Sequence, residues 1–104
     1  MPSLVERQFA ADHPSARGHF PGNPIIPGAV LLDTVLQAIA AAAGGGVADW
    51  EVVSAKFLHP VRPGDRVIIR WTAAAGGETR FDSVLADREQ PVLTGLARRS
   101  GAPP

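Results

Sequence analysis

The distribution of apolar residues changes along the chain. Between positions 29 and 43 nearly every side chain is apolar, and at helical spacing these side chains cover most of the circumference. Pro27 precedes this segment and glycines at 44–46 follow it, as is usual for residues that begin and end a helix. The pattern predicts one helix of about four turns. We expect it to be buried on almost every side, with its run of alanines close to a sheet.

Segments of strand character make up much of the remaining chain. One precedes the helix and four follow it, and short polar turns separate the last four. We therefore predict an α+β domain, one long helix on an antiparallel sheet of five strands, with consecutive strands paired as a meander. The predicted strands cover 4–10, 51–61, 66–74, 79–86 and 91–99, the single domain covers 1–99, and 100–104 form a disordered tail.

Composition narrows the classes of function. The chain has 104 residues, 45% hydrophobic and 19% charged, as expected of one small globular domain whose limited core favours an oligomer. Its 10 basic and 10 acidic residues cancel, so we expect no binding to nucleic acid or to an anionic membrane. The lack of cysteine excludes thiol nucleophiles and thiolate zinc sites, and no spacing suggests a metal site. Because no signal-peptide pattern or membrane span is recognisable, we expect a cytoplasmic protein.

One carboxylate interrupts the apolar helix. Desolvation of Asp33 should favour its neutral form, which can donate a proton to a departing hydroxyl. His19, in the proline-rich loop before the helix, is the side chain best suited to remove a proton near neutral pH. The N–H of Gly28 can polarise a carbonyl at the start of the helix, and Gln37, one turn beyond Asp33, can hold its carboxyl. These groups predict acid–base catalysis.

A long segment carries a family resemblance. Residues 18–33, GHFPGNPIIPGAVLLD, together with Gln37, resemble the signature of the beta-hydroxyacyl-ACP dehydratases of fatty-acid synthesis. The shared features are a His that opens the loop, a Pro-Gly pair that opens the helix, an acid fourteen positions after the His, and the Gln. Residues 57–65, FLHPVRPGD, are similar to the short dehydratase-like proteins of aryl-polyene biosynthesis. The resemblance implies a hotdog fold, in which a sheet wraps around a central helix.

The resemblance also implies an activity and a site. The expected reaction is dehydration of a 3-hydroxyacyl thioester, carried by acyl carrier protein or coenzyme A, to the trans-2-enoyl thioester without a cofactor. In this family the His and the acid of one site come from different subunits, which implies a homodimer or a heterodimer with another hotdog protein. The implied catalytic residues are His19 and Asp33, and the implied substrate-binding residues are Gly28, Gln37, Phe20 and Pro27.

Other interpretations stay open. Hotdog proteins also act as acyl-thioesterases, and a short chain of this kind can be a non-catalytic acyl-binding or dimer partner of another hotdog protein. His13 and His59 each precede a proline and are best interpreted as surface or turn histidines. We expect the aromatic residues Trp50, Phe57 and Trp71 to pack in the core or at an interface. Four arginines form either a basic rim for an acidic carrier or an ordinary solvated surface: Arg62, Arg66, Arg98 and Arg99.

Overall fold

The predicted helix and all five predicted strands are present. The structure is a computed structural model of the chain and describes residues 3–12 and 24–100. Short 3₁₀ turns at Val47–Asp49 and Ala75–Gly77 lead into the second and fourth strands. The regular elements are β1 (Ser3–Gln8), α1 (Gly28–Ala43), β2 (Trp50–Phe57), β3 (Arg66–Ala73), β4 (Glu78–Leu85) and β5 (Pro91–Arg99).

Both ends of α1 follow from the residues that flank it. Pro27 has φ −57°, a value that its ring imposes, and its carbonyl accepts hydrogen bonds from the N–H groups of Val30 and Leu31. At the other end Gly44 adopts a left-handed conformation with φ 83°, and the N–H groups of Gly44 and Gly45 return to carbonyls of the last helical turn. The predicted helix is therefore confirmed to within one residue. It has 16 residues, and no helix among the described residues is long and apolar enough to cross a membrane.

The order of the strands corrects one prediction. The sheet is antiparallel with the order β1-β3-β4-β5-β2, so β3, β4 and β5 form the expected meander, but β2 pairs with β5 instead of β3. The predicted strand 51–61 ends at Phe57, and the connection that follows contains Pro60 and Pro63, which cannot donate ladder hydrogen bonds. This connection pairs instead with the segment after β1, where the N–H of Phe9 donates to the carbonyl of Asp65 at 3.0 Å. The connection is thus too long and too strongly anchored to act as a hairpin turn.

The core lies between α1 and one face of the sheet. Phe81 on β4 is almost completely buried there, and its ring occupies space that any side chain on β5 at position 95 would need. A Cβ at Gly95 would overlap both the Phe81 ring and the carbonyl oxygen of Ser54, so this position requires glycine. Trp50 and Trp71 pack against the core, as predicted. The other buried apolar residues of the helix and strands include Leu31, Val35, Ile39, Val67, Ile69, Leu85, Val92, Leu93 and Ala97.

The two outer strands of the sheet differ in surface. Every residue of β2 after Trp50 is exposed, and these residues include Val52, Val53 and Phe57. β1 at the opposite edge exposes mainly polar residues, the last three being Glu6, Arg7 and Gln8. An apolar, unpaired edge is unusual in a protein that stays monomeric.

Candidate functional site

A groove opens at the N-terminal end of α1. Its volume is about 490 Å³, and its walls come from the segment before the helix, the first helical turn, and the end of β2 with the connection after it. The N–H of Ile26 donates to the carbonyl of Val61 at 2.7 Å, which ties two of these walls together. The groove is therefore held by backbone hydrogen bonds as well as by side-chain packing. Its lining residues are Ile25, Ile26, Gly28, Leu31, Phe57, Leu58, His59, Pro60 and Val61.

Gly28 lies where the groove meets the helix. The half-exposed ring of Phe57 rests against it, so closely that a Cβ on Gly28 would lie 3.0 Å from Cε1 of the ring. The N–H of Gly28 has no hydrogen-bond partner among the residues that the structure describes. A free N–H in the first helical turn, at the positive end of the helix dipole, is suited to polarise a carbonyl. Gly28 thus lines the groove at the start of α1, next to the partly buried Pro27.

The Asp33 carboxylate and the Gln37 amide form a pair one helical turn apart. The Nε2 atom of Gln37 donates to Oδ2 of Asp33 at 2.6 Å, as the spacing predicts. Both side chains are exposed, which corrects the expectation that the helix is buried nearly all round. The exposed positions 29, 33, 37 and 41 form a stripe along α1, and Asp33 lies on this stripe. One chain therefore does not provide the burial that the sequence predicts for Asp33.

The groove and the Asp33–Gln37 pair lie on different sides of α1. Five helical positions separate Gly28 from Asp33, which corresponds to a rotation of about 140° around the helix axis. Asp33 is accordingly absent from the groove lining, whereas Gly28 and Leu31 are part of it. His19 and Phe20 lie outside the described residues, so their placement relative to either feature stays a prediction. One chain alone does not bring Gly28 and Asp33 to one point.

His59 is exposed and lies at a bend, as expected of a surface or turn histidine. It also lines the groove, a position that sequence reasoning did not predict. Its Nδ1 atom lies 2.8 Å from the carbonyl oxygen of Pro60, a contact that fixes the orientation of the ring. The available signal was its position within residues 57–65, the second segment that carries the family resemblance.

Two members of the proposed basic rim are engaged within the chain. The Nε atom of Arg98 donates to Oε1 of Glu51 at 2.5 Å, and this hydrogen bond, with the attraction between the charges, raises the pKa of Arg98. The guanidinium of Arg99 lies 5.6 Å from the centre of the Trp50 ring, a cation–π arrangement. These contacts leave Arg98 and Arg99 less available for a partner than a solvated arginine would be.

Comparison with known protein families shows the family to which this chain belongs. The model of the ApeI-like family, described as ApeI dehydratase, matches residues 3–96. The chain belongs to the ApeI-like dehydratase family. A relative in Klebsiella pneumoniae subsp. pneumoniae, the 3-hydroxyacyl-acyl-carrier-protein dehydratase FabZ, is 34% identical over 89 residues, which are 75% of the ApeI-like chain and 59% of that enzyme. The ApeI-like chain thus spans less than two thirds of the length of such curated relatives.

Solved structures of similar fold include proteins of more than one activity. The dehydratase heterocomplex ApeI:P from Xenorhabdus doucetiae matches with a TM-score of 0.71 and 20% identity, over 94% of the ApeI-like chain and 86% of the other. A 1,4-dihydroxy-2-naphthoyl-CoA thioesterase from Synechocystis matches with a TM-score of 0.67 and 18% identity, over 93% and 79%. At these identities the likeness establishes the hotdog fold, which confirms the predicted fold class.

Proposed function

We propose that this chain dehydrates a 3-hydroxyacyl thioester to the trans-2-enoyl thioester. The observation that carries the proposal is the Asp33–Gln37 pair on a helix that Pro27 and Gly28 open, in a chain of the ApeI-like family. A base removes the proton from the carbon next to the thioester carbonyl, and the hydroxyl leaves as water with a proton from an acid. The C–H and C–O bonds break, the C=C bond forms, and no electrons are supplied or removed.

Each proposed role suits the chemistry of the residue. His19 is the base, and Asp33 is the acid that protonates the departing hydroxyl. The amide of Gln37 donates a hydrogen bond to Oδ2 of Asp33. Oδ1 is therefore the oxygen that we assign to the substrate. The unpaired N–H of Gly28 stabilises the negative charge that develops on the thioester oxygen.

The proposed site needs a second subunit. Within one chain the side chain of Asp33 is exposed to solvent. A partner that covers this helix face would supply the desolvation that one chain lacks. The apolar edge of β2 is the surface that fits such a partner, and a related fold is described as a heterocomplex. We therefore propose a dimer with a second copy or with another hotdog protein, with His19 and Asp33 of each site on different subunits.

The proposed substrate is bound through its thioester end. Pro27 and Phe20 flank the entrance to the helix in the sequence and are proposed to contact the acyl chain or its carrier arm. The carrier is an acyl carrier protein, as in the name of the FabZ relatives, or coenzyme A.

A direct assay tests the proposed reaction. The full chain is incubated with a 3-hydroxyacyl thioester of acyl carrier protein, and loss of one water is followed by mass spectrometry. Asp33→Asn and His19→Ala should each lower kcat by at least about a hundredfold, since each removes one proton-transfer group. Asp87→Asn is the matched control, because Asp87 is an exposed carboxylate in the turn after β4 and should keep wild-type activity. Undiminished turnover by both Asp33→Asn and His19→Ala would overturn the mechanism.

Thioester hydrolysis is the second candidate. The likeness of fold to the Synechocystis thioesterase favours it, since a carboxylate on the central helix can also activate water. Release of free thiol from the same substrate, without enoyl product, would establish hydrolysis in place of dehydration.

A further inference from the structure

His59 is a polar side chain at the groove that the proposed proton transfers do not use. The carbonyl oxygen of Pro60 can only accept a hydrogen bond, so Nδ1 of His59, 2.8 Å away, carries the proton. In the neutral ring Nε2 is then an acceptor. Nε2 has no partner among the residues that the structure describes. His59, a lining residue of the groove, thus carries an oriented acceptor with no partner within residues 3–12 and 24–100.

The backbone on both sides of His59 is anchored. The N–H of Leu58 donates to the carbonyl of Val92 on β5 at 2.9 Å, and the carbonyl of Val61 accepts from Ile26 at 2.7 Å. The imidazole therefore stands on a short segment with fixed ends, and its own contact with Pro60 limits rotation of the ring. A group held in this way can orient a ligand at a small cost in entropy.

The surroundings of His59 restrict the kind of ligand. Among the described residues, the other side chains that line the groove are all apolar, and Gly28 contributes only backbone. An imidazole acceptor beside these apolar side chains suits a mainly aliphatic ligand that carries a hydrogen-bond donor. The pantetheine arm, which links the thioester to both acyl carrier protein and coenzyme A, is a flexible aliphatic chain with amide N–H groups.

We propose that Nε2 of His59 accepts a hydrogen bond from an amide N–H of the pantetheine arm and so positions the thioester carbonyl at the N–H of Gly28. This inference rests on the proposed function and adds the part of the substrate that the groove recognises. His59 is a binding and positioning residue and takes no part in proton transfer.

The test compares three thioesters of one 3-hydroxyacyl group. The first is the coenzyme A thioester, the second is the pantetheine thioester, which lacks the nucleotide phosphates, and the third is the S-propyl thioester, which lacks amides. In the full chain, His59→Ala should raise KM for the first two by about fivefold to tenfold, as expected for one neutral hydrogen bond. With the S-propyl thioester, both kcat and KM of His59→Ala should stay at the wild-type values. Arg88→Ala, in the exposed turn after β4, is the control for a surface substitution.

Other patterns would overturn the inference. A rise in KM with the coenzyme A thioester alone would indicate contact with phosphate, and a fall in kcat with all three would place His59 at the reacting atoms. An unchanged KM with all three would remove His59 from substrate recognition.

Failure of the proposed reaction is distinguishable from failure of the His59 inference. If the wild-type chain converts none of the thioesters, the dehydratase proposal fails, and binding is tested by titration with pantetheine. The imidazole resonances of His59, assigned by comparison with His59→Ala, should then shift on addition of pantetheine. Resonances that stay in place at saturating pantetheine would overturn the inference independently of any activity.

Discussion

The two edge strands of the sheet expose different kinds of residue to solvent. β1 ends in Glu6, Arg7 and Gln8, charged and polar residues of the kind that protect an edge from pairing with another chain. Leu4, with 62% of its surface exposed, is the exception there. β2 exposes Val52, Val53 and Phe57, and the register with β5 shifts between Val52 and Ser54, which marks Val53 as the bulge. Of the two edges, β2 is therefore better suited to pair with a partner, because its exposed surface is apolar. The charged and polar residues of β1 disfavour pairing with another strand.

The largest expected effect comes from charging the apolar edge. Val53→Lys places an ammonium where the proposed dimer would desolvate it, at a cost of several kcal/mol, and should weaken the dimer by at least about a hundredfold. Activity should fall with the dimer because the proposed site draws on both subunits. Sedimentation velocity and the dehydration assay measure the two quantities on the same sample.

Leu4→Lys is the matched control at the opposite edge. It also replaces an exposed apolar residue on an outer strand with lysine, and it should leave both the association state and the activity unchanged. If Val53→Lys and Leu4→Lys behave alike, the assignment of β2 as the pairing edge is wrong.

The helix and the number of strands were predicted correctly from the sequence, because the residues within and next to each element determine both. Pro27 and Gly44 mark the ends of α1, and the turn residues separate the strands. The position of β2 beside β5 was predicted wrongly, because the pairing partner of a strand depends on how a connection such as 58–65 is anchored elsewhere.

The sequence predicted which residues belong to the candidate site, but it did not predict how they are arranged or how exposed they are. The Asp33–Gln37 contact follows from helical spacing. The exposure of Asp33 does not, since helical periodicity tells which residues share a face but not how much of the helix one chain can cover. The groove was not predicted, because only the fold brings residues 58–61 against the start of α1.

An intermediate effect is expected from mixing two inactive variants. Mixing His19→Ala with Asp33→Asn, after dissociation and reassociation, should give half mixed dimers, each with one site that has both groups intact. About a quarter of the wild-type sites are then restored, if subunits combine at random in a two-fold dimer. The recovered kcat per site measures this fraction. The same mixture with Val53→Lys in both chains should recover no activity, which ties the restoration to β2. The mixture with Leu4→Lys in both chains should recover the same quarter of the sites as the original mixture.

The smallest expected effect concerns the end of β2 where it meets the helix. Gly28→Ala places a methyl group 3.0 Å from the ring of Phe57, so the ring or the first helical turn must shift by a few tenths of an ångström. The N–H donor is kept but displaced, which should lower kcat by about threefold to tenfold. The melting temperature should not fall, since alanine is the better helix former.

Two further variants separate displacement of the donor from a general effect of replacing glycine. Gly46→Ala is the control, because a Cβ there meets nothing within 4 Å, and its kcat should equal that of the wild type. Adding Phe57→Leu to Gly28→Ala removes the crowding ring and should return part of the lost kcat. If Gly28→Ala alone has the wild-type kcat, the contact between Phe57 and Gly28 serves packing only. The β2 edge then differs from the β1 edge in function only through the proposed dimer contact.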